Sequence, residues 1–263
     1  MERTVTRNTT EWAGAILAFI LMVMVNALSN IIPLGGQTQK DVSDKYPTLF
    51  TPDGFTFSIW GLIYLTLAGF VIYQALPAQR NKALVSTVTR LFILTCLTNI
   101  IWLFCWHYDR LWLSLLVMVV LLILLIKIYS ALQINLRPVS WSRWLFLYLP
   151  FSLYSGWITV ATIANLTIVQ QAMGWEGAGL NPINWTLLKL AVAAGISAVV
   201  VLKRHDMIFG LVIAWAAYGI MSKQSATPEI AGAALLLVVF SIILVTYQGA
   251  SGLLSGNKTA KSD

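Results

Sequence analysis

The chain has 263 residues, of which 58% are hydrophobic and only 10% charged, and its mean hydropathy is +0.78. These values lie far outside the range of soluble globular domains and indicate an integral membrane protein. They leave no room for a separate soluble catalytic domain. The formal net charge of +7 does not point to a nucleic-acid partner, because the placement of the basic residues is typical of topology determinants in membrane proteins.

Apolar stretches about long enough to cross a bilayer fill nearly the whole chain. A spanning helix needs roughly 20 apolar residues, and its backbone hydrogen bonds are satisfied within the helix. The sequence predicts eight spans, at residues 12–33, 55–76, 90–106, 111–134, 144–173, 185–202, 207–222 and 230–249. The first apolar run is longer than the core of a secretory signal, so we expect a retained helix. The predicted fold class is an all-α integral membrane protein.

The distribution of Lys and Arg predicts the orientation of these spans. Twelve of the seventeen basic residues lie in the N-terminal segment, the second, fourth and sixth connections and the tail. Four lie in the other connections, and Lys189 lies inside a span. Loops rich in Lys and Arg stay on the cytoplasmic side. We therefore expect both termini in the cytoplasm, with the protein in a bacterial inner membrane or an equivalent membrane.

The predicted spans lack the groups that proton-coupled transport or catalysis would use. No Asp or Glu falls within any of them, whereas coupled carriers usually need an ionisable group at membrane depth. Cys96 and Cys105 are nine residues apart on one helix and point to nearly opposite faces, so they form neither a disulfide nor a metal site. We expect no catalytic residues, no metal and no required cofactor, and we do not expect an enzyme.

Three of the predicted helices carry stripes of aromatic and amide residues at helical spacing. The stripes are Phe57, Trp60 and Tyr64 on the second span, Asn99, Trp102 and Trp106 on the third, and Trp157, Ala161 and Asn165 on the fifth. An unpaired amide in hydrocarbon is costly, so Asn99 and Asn165 should face the interior of the bundle. The stripes either hold three helices together or form an aromatic pocket with a few polar anchors, the usual chemistry of a small-molecule site.

The same stripes carry a resemblance to a known family. The run from Pro52 to Tyr64, with Trp60 four residues before Tyr64, resembles the second-helix signature of the TspO/translocator family, the tryptophan-rich sensory proteins. The Asn-x-x-Trp pair of Asn99 and Trp102 is similar to the third-helix motif of that family. The fifth-helix pattern of Trp157, Ala161 and Asn165 is similar as well. The resemblance extends over about residues 10–172.

The resemblance implies a five-helix bundle, usually dimeric, that binds porphyrins and other tetrapyrroles, and in some members sterols or hydrophobic drugs. Its ligand site corresponds here to Trp60, Tyr64, Asn99, Trp102, Trp157, Ala161 and Asn165, and the helical spacing adds Phe57. We expect a hydrophobic aromatic ligand, most plausibly a tetrapyrrole, between the second, third and fifth spans. The polar first connection, residues 34–54, is expected to act as a lid over this site.

The C-terminal third adds three spans to the five of the resemblance. We expect a TspO-like bundle over residues 1–173, a three-helix extension over residues 174–250 and a disordered cytoplasmic tail over residues 251–263. The extension is rich in Ala and Gly, which permit close helix approach, so we predict that it packs on the five-helix bundle through these faces. It could cover a surface that shorter relatives use for dimerisation, so the expected partners are a second copy or another subunit of a membrane complex, in addition to lipid and the ligand.

Three alternatives to a ligand-binding protein stay open from the sequence. The protein could be a facilitator that passes such a ligand across the membrane, or a structural subunit of a larger membrane complex. Degradation of a porphyrin is a further alternative. Transport in proteoliposomes, co-purification with a fixed partner, and light-dependent loss of bound porphyrin would distinguish them.

Overall fold

The computed structural model describes residues 9–175 and 177–259, and the side chains of residues 252–259 lie outside that description. Arg3 and Arg7 at the N-terminus, and residues 260–263 of the expected tail, also lie outside it. The regular secondary structure of the described residues is helical. In chain order the α-helices are α1 (Thr9–Ile31), α2 (Gln39–Lys45), α3 (Ile59–Ala75), α4 (Pro77–Arg80), α5 (Ala83–His107), α6 (Leu111–Leu132), α7 (Trp141–Arg143), α8 (Leu149–Ala172), α9 (Pro182–Arg204), α10 (Met207–Lys223) and α11 (Pro228–Thr259).

Seven helical segments of the described chain are long and apolar enough to cross a membrane, and α10, with 17 residues, is a shorter apolar helix. Many of their large apolar side chains lie on the outside, such as Leu65 and Ile72 of α3, because their solvent is lipid. The chain is therefore a multi-pass integral membrane protein of all-α fold. The count of eight spans and the cytoplasmic location of both termini stay predictions.

The chain divides into two compact units. The first contains the described residues up to Thr48 together with Phe57–Trp175. The second contains Leu49–Thr56 together with the described residues from Gly177 onward. We expected the five-helix bundle to end at residue 173, close to this division, but we did not expect a short segment of the first long connection to belong to the second unit. Helix α11 continues to Thr259, past residue 250, where we expected a disordered tail to begin.

Aromatic rings form the centre of the first unit. Phe70 of α3 lies 5.0 Å, between ring centroids, from both Phe92 of α5 and Phe151 of α8, in edge-to-face geometry in each case. All three side chains are fully buried. Edge-to-face pairs of this kind contribute about 0.5–1.5 kcal/mol beyond the area that they bury. This cluster fixes α3, α5 and α8 against one another, and these three helices carry the predicted site.

The start of α8 departs from regular α-helix because of a proline. Trp144–Tyr148 form a π-helical turn directly before Leu149, and Pro150 follows in the first turn of α8. Proline has no N–H to donate and its ring crowds the preceding turn, so a wider turn at this place relieves the clash. The helix then continues without interruption through the residues of the fifth-span stripe to Ala172.

Buried polar side chains connect helices within the first unit. The Gln74 amide of α3 donates to the Trp12 carbonyl of α1 at 3.0 Å. The Asn26 amide of α1 donates to Asn99 Oδ1 of α5 at 2.8 Å. Hydrogen bonds between helices in a membrane contribute about 0.6 kcal/mol on average and up to about 2 kcal/mol. They also fix the rotation of each helix about its axis, because an amide that turned to face lipid would lose its partner.

In the second unit, close packing occurs on α10, and not on all the faces that are rich in small residues. A Cβ at Gly210 would lie 2.8 Å from Val201 Cγ2 of α9 and 2.9 Å from Val245 Cγ2 of α11. Gly195 of α9 and Gly232 of α11 are exposed, with open space where a Cβ would be. Close packing through a glycine thus occurs at Gly210 and not at Gly195 or Gly232, and packing of the extension on the five-helix bundle stays a prediction.

The segment Leu49–Thr56 packs on α10 within the second unit. The Asp53 N–H donates to the Gly219 carbonyl at 3.0 Å, and the Trp215 indole N–H donates to the Thr56 carbonyl at 2.9 Å. The Phe55 ring lies 5.5 Å from the ring of Trp215 and 5.6 Å from that of Tyr218. The segment is thus held by backbone hydrogen bonds and by aromatic contacts immediately before the chain enters α3.

Candidate functional site

Five aromatic side chains of α3, of the turn before it and of α8 form a continuous cluster, which we call the aromatic wall: Phe57, Trp60, Tyr64, Tyr154 and Trp157. Trp60 lies at its centre, stacked on Tyr64 at 5.3 Å and edge-to-face with Trp157 at 6.4 Å. Phe57 meets Trp157 edge-to-face at 5.9 Å. Trp157 is buried, whereas Phe57, Trp60 and Tyr64 are half-buried. The rings of Trp60 and Tyr64 on α3 are therefore partly accessible, and the buried Trp157 of α8 packs against Trp60.

A group of polar atoms borders the aromatic wall at Tyr154. The Tyr154 ring packs edge-to-face on Trp60 at 5.9 Å, and its hydroxyl interacts with the side chains of Asn99 and Tyr64. Asn99 accepts a hydrogen bond from Asn26, but its own amide nitrogen has no partner among the described residues. The Tyr154 hydroxyl, despite its interaction with Asn99, and Asn26 Oδ1 likewise form no well-aligned hydrogen bond with a described residue. Since each unsatisfied polar group in an apolar interior is costly, these atoms mark a place suited to a polar group of a ligand.

Trp102 and Asn165 form a second cluster. Asn165 Oδ1 accepts from the Trp102 indole N–H at 3.4 Å, and Asn165 Nδ2 donates to Ser114 Oγ of α6 at 3.1 Å. Trp102 stacks on Trp106 at 5.7 Å. The amide of Asn165 is thus satisfied by protein groups, and it connects α5, α6 and α8. Ala161, half-buried, lies one turn from both Trp157 and Asn165 on α8.

The predicted site residues are therefore all in the first unit but divide into two groups. The aromatic wall contains Phe57, Trp60, Tyr64 and Trp157, and Asn99 lies beside it. Trp102 and Asn165 pack with each other, about two helical turns along α8 from Trp157, a rise of roughly 12 Å. The role of each of these residues as a ligand contact stays a prediction.

The sequence analysis missed one residue of the aromatic wall, Tyr154, and one residue of the polar group beside it, Asn26. Tyr154 lies one turn before Trp157, and its spacing places it on the same face of α8. Asn26 is an amide within the first span, so the argument that placed Asn99 and Asn165 inside the bundle applied to it equally. Both signals were present, but neither residue lies in a motif of the resemblance.

The first connection is anchored to the turn between α5 and α6. Helix α2 begins with a capping box, in which Thr38 and Asp41 bond each other's backbone N–H groups. The Gln37 amide donates to the His107 carbonyl at 2.7 Å, and the Trp106 indole N–H donates to the Gln39 carbonyl at 3.2 Å. These contacts hold residues 37–45 at the end of the bundle where Trp102 and Trp106 lie, and the role of residues 34–54 as a lid stays a prediction.

An ion pair completes this anchor. Lys45 pairs with Asp109, which also accepts from Gln37 at 3.2 Å and from the Tyr46 hydroxyl at 3.4 Å. Burial alone would raise the pKa of Asp109, but the hydrogen bonds from Lys45 and Gln37 and the charge of Lys45 outweigh it and lower that pKa. The hydrogen bond to Asp109 in turn raises the pKa of Lys45. The pair is therefore charged on both sides at neutral pH.

The described residues offer little for metal chemistry. Within residues 9–175 and 177–259, no three His, Cys, Asp or Glu side chains are grouped so that they could hold a metal ion. Cys96 and Cys105 are both buried thiols. The arrangement therefore provides an aromatic surface, buried amide and hydroxyl groups beside it that are not fully hydrogen-bonded, and an anchored connection at one end of the bundle.

Comparison with known families shows which family the chain belongs to. A family model of TSPO-like proteins matches residues 11–247, which is most of the chain. The chain belongs to this family. The match includes α9, α10 and α11, so these helices lie within the TSPO-like region, although the resemblance that we recognised in the sequence ended near residue 172. No match was found among curated proteins or among solved structures.

Proposed function

We propose that this TSPO-like protein binds a planar, amphipathic aromatic ligand, most plausibly a tetrapyrrole, against the aromatic wall. The observation that carries the proposal is that the wall ends at buried polar atoms, the amide nitrogen of Asn99 and the hydroxyl of Tyr154, which interact with each other but form no well-aligned hydrogen bond with a described residue. A wall built only to hold helices together would not need them. Membership in the TSPO-like family supports the same class of ligand.

The chemistry of the two parts fits such a ligand. The exposed faces of Trp60 and Tyr64 offer π-surface on which a macrocycle can stack, and each aromatic pair contributes about 0.5–1.5 kcal/mol beyond area burial. The Asn99 amide nitrogen is a donor, and the Tyr154 hydroxyl both donates and accepts. A carbonyl or carboxyl group on the ligand would satisfy both, which relieves the cost of leaving them unpaired.

Trp102 and Asn165 have a different role in this proposal. Their polar groups are satisfied by each other and by Ser114, so we assign them to holding α5, α6 and α8 in register at the end of the bundle under the first connection. Ala161 keeps space on α8 between the two clusters. The protein acts in this proposal as a binding protein and not as an enzyme, since the ligand meets only stacking surfaces and hydrogen-bonding groups.

The experiment is a fluorescence titration of the purified protein with protoporphyrin IX in detergent. Energy transfer from nearby indoles should quench tryptophan fluorescence saturably. Trp60→Ala should weaken binding several-fold, since loss of a stacking ring costs on the order of 1 kcal/mol. Ala161→Leu should also weaken binding, because the larger side chain fills space that the ligand needs.

Trp112→Phe is the matched control, because Trp112 is 61% exposed on α6 and belongs to neither cluster. It should leave the affinity unchanged. If folded Trp60→Ala and Ala161→Leu proteins bind as tightly as the wild type, the aromatic wall is structural and the proposal fails. Transport of porphyrin by proteoliposomes that contain the wild-type protein would show that the protein is a facilitator.

A further inference from the structure

A cavity lies in the first unit, away from the aromatic wall. It has a volume of about 600 Å³ and opens between the start of α5, the end of α6, the loop that follows α6 and the first residues of the fifth-span helix. Leu84 of α5 lies on its wall, whereas Asn99 lies fifteen residues further along the same helix, a rise of roughly 22 Å. The cavity is therefore separate from the proposed tetrapyrrole site.

The lining of this cavity is basic on one side and apolar on the other. Its polar residues are Arg137, Arg143, Gln133 and Tyr148, and Leu84 and Leu132 are among its apolar ones; we call it the basic cleft. None of the residues that line it is acidic. Both guanidinium groups interact electrostatically with the Tyr148 hydroxyl, and all three side chains line the cleft. The sequence contains no Asp or Glu from residue 110 to residue 175, so the part of the chain that supplies both arginines has no acidic side chain.

Two stacked indoles place the basic cleft at the level of the membrane surface. Trp141 and Trp144 stack at 5.0 Å, and Trp141 is 71% exposed. They lie in the chain on either side of Arg143. Tryptophan with an exposed ring is typical of the interface between lipid and water, where the headgroups are. The basic side of the cleft is therefore at headgroup depth, and its apolar side continues along the helices toward the hydrocarbon.

We propose that the basic cleft binds the phosphate group of an anionic phospholipid from the surrounding leaflet. Guanidinium groups match the geometry of phosphate oxygens and bind them in a bidentate manner. Basic pockets between membrane helices are known as sites for anionic headgroups. Free phosphate has the same charged chemistry, but the leucines of the lining and the adjacent indoles favour a ligand that carries an apolar part. The volume lies within the range typical of small-molecule sites.

The test measures thermal unfolding of the full chain in a neutral detergent at rising concentrations of phosphatidylglycerol, phosphatidylcholine or inorganic phosphate. A ligand that binds only the folded state raises the midpoint as its concentration exceeds the dissociation constant. We expect a saturable rise with phosphatidylglycerol, little with phosphatidylcholine and none with inorganic phosphate. Native mass spectrometry should show one phosphatidylglycerol retained per chain.

Arg137→Ala with Arg143→Ala should weaken phosphatidylglycerol binding at least tenfold, since both charge-assisted contacts are lost. Arg137→Ala alone changes an exposed side chain, so it keeps the test valid if the double variant does not fold, and we expect it to weaken binding several-fold. The matched control is Lys203→Ala with Arg204→Ala, which removes the same charge at the end of α9 and should bind like the wild type. Equal binding by the cleft variants, or equal weakening in the control, would overturn the proposal. If inorganic phosphate raises the unfolding midpoint as much as phosphatidylglycerol does, the cleft binds a free anion and the lipid proposal is wrong.

Discussion

Gly219 on α10 provides the sharpest test of the packing in the second unit. A Cβ at this position would lie 2.0 Å from Thr56 Oγ1, which no folded structure tolerates without movement, and 3.0 Å from both Thr56 Cβ and Pro52 Cβ, which are tight contacts. Rotation of the Thr56 side chain would relieve only the first of these contacts, so we expect the segment Leu49–Thr56 to shift away from α10 in Gly219→Ala. Such a shift strains or breaks the bond from the Asp53 N–H to the Gly219 carbonyl and the bond from Trp215 to the Thr56 carbonyl.

The cost follows from these contacts. Overpacking a close contact typically costs about 1–3 kcal/mol. Each hydrogen bond that is lost adds about 1 kcal/mol. Against this, replacing a helical glycine by alanine gains about 1 kcal/mol in helix propensity. We expect Gly219→Ala to lower the free energy of unfolding by about 1–4 kcal/mol, measured by thermal or denaturant unfolding in detergent.

Gly195 and Gly232 provide matched controls, because both are exposed helical glycines with open space at the Cβ position. Alanine at either should leave stability unchanged or raise it by up to about 1 kcal/mol. Thr56→Ala should relieve part of the clash in the Gly219→Ala background, so the two changes should couple in a double-mutant cycle. If Gly219→Ala is as stable as the Gly195→Ala control, the segment does not pack on α10 as described.

Three further predictions concern the first unit and the topology. Asn165→Leu should lower stability by roughly 0.5–2 kcal/mol through loss of its interhelical bonds, while folded protein keeps its protoporphyrin affinity; a loss of affinity without a loss of stability would make Asn165 a ligand contact. Asp109→Asn should increase hydrogen exchange in residues 37–45 at neutral pH. In the wild type, the lowered pKa of Asp109 stabilises the folded state above about pH 4, and this stabilisation is lost as the pH falls through the folded-state pKa. The stabilisation from Lys45 is lost only as the pH rises above about 10. Unchanged exchange in Asp109→Asn would show that the ion pair does not hold the connection. With cysteines introduced singly at Lys40 and Ala78, both exposed, a membrane-impermeant thiol reagent should label only the first in intact cells; the reverse pattern would invert the topology.

The long helices were predictable because each apolar run has the length of a membrane span. The ends of the helices were harder to predict where a helix contains polar side chains. Helix α5 begins at Ala83 and not near residue 90, because Thr87 and Thr89 donate to the carbonyls of Ala83 and Val85 and so occupy helical positions that hydropathy does not reveal. Helix α2 was missed within a polar loop, although Thr38 and Asp41 carried a capping signal.

The sequence predicted which helix face carries each residue of the candidate site, but it did not predict which residues contact one another. Helical spacing places Trp157 and Asn165 on the same face of α8, yet a rise of roughly 12 Å gives each residue different neighbours. Trp157 meets Phe57 and Trp60, whereas Asn165 meets Trp102 and Ser114. The composition of α9 and α11 likewise could not show that Gly195 and Gly232 lie on open faces. Such distinctions depend on the packing partner, which the spacing within one helix does not specify.

The most direct test of the central proposal is the visible absorption spectrum of the purified protein after incubation with protoporphyrin IX and removal of the excess. Wild-type protein should retain one porphyrin per chain, with an absorption band shifted from that of porphyrin in detergent alone. A variant with both Trp60 and Trp157 replaced by leucine should remain folded and retain almost none. Absence of retained porphyrin in the wild type, or equal retention by the folded variant, would contradict the assignment of the aromatic wall as a tetrapyrrole site.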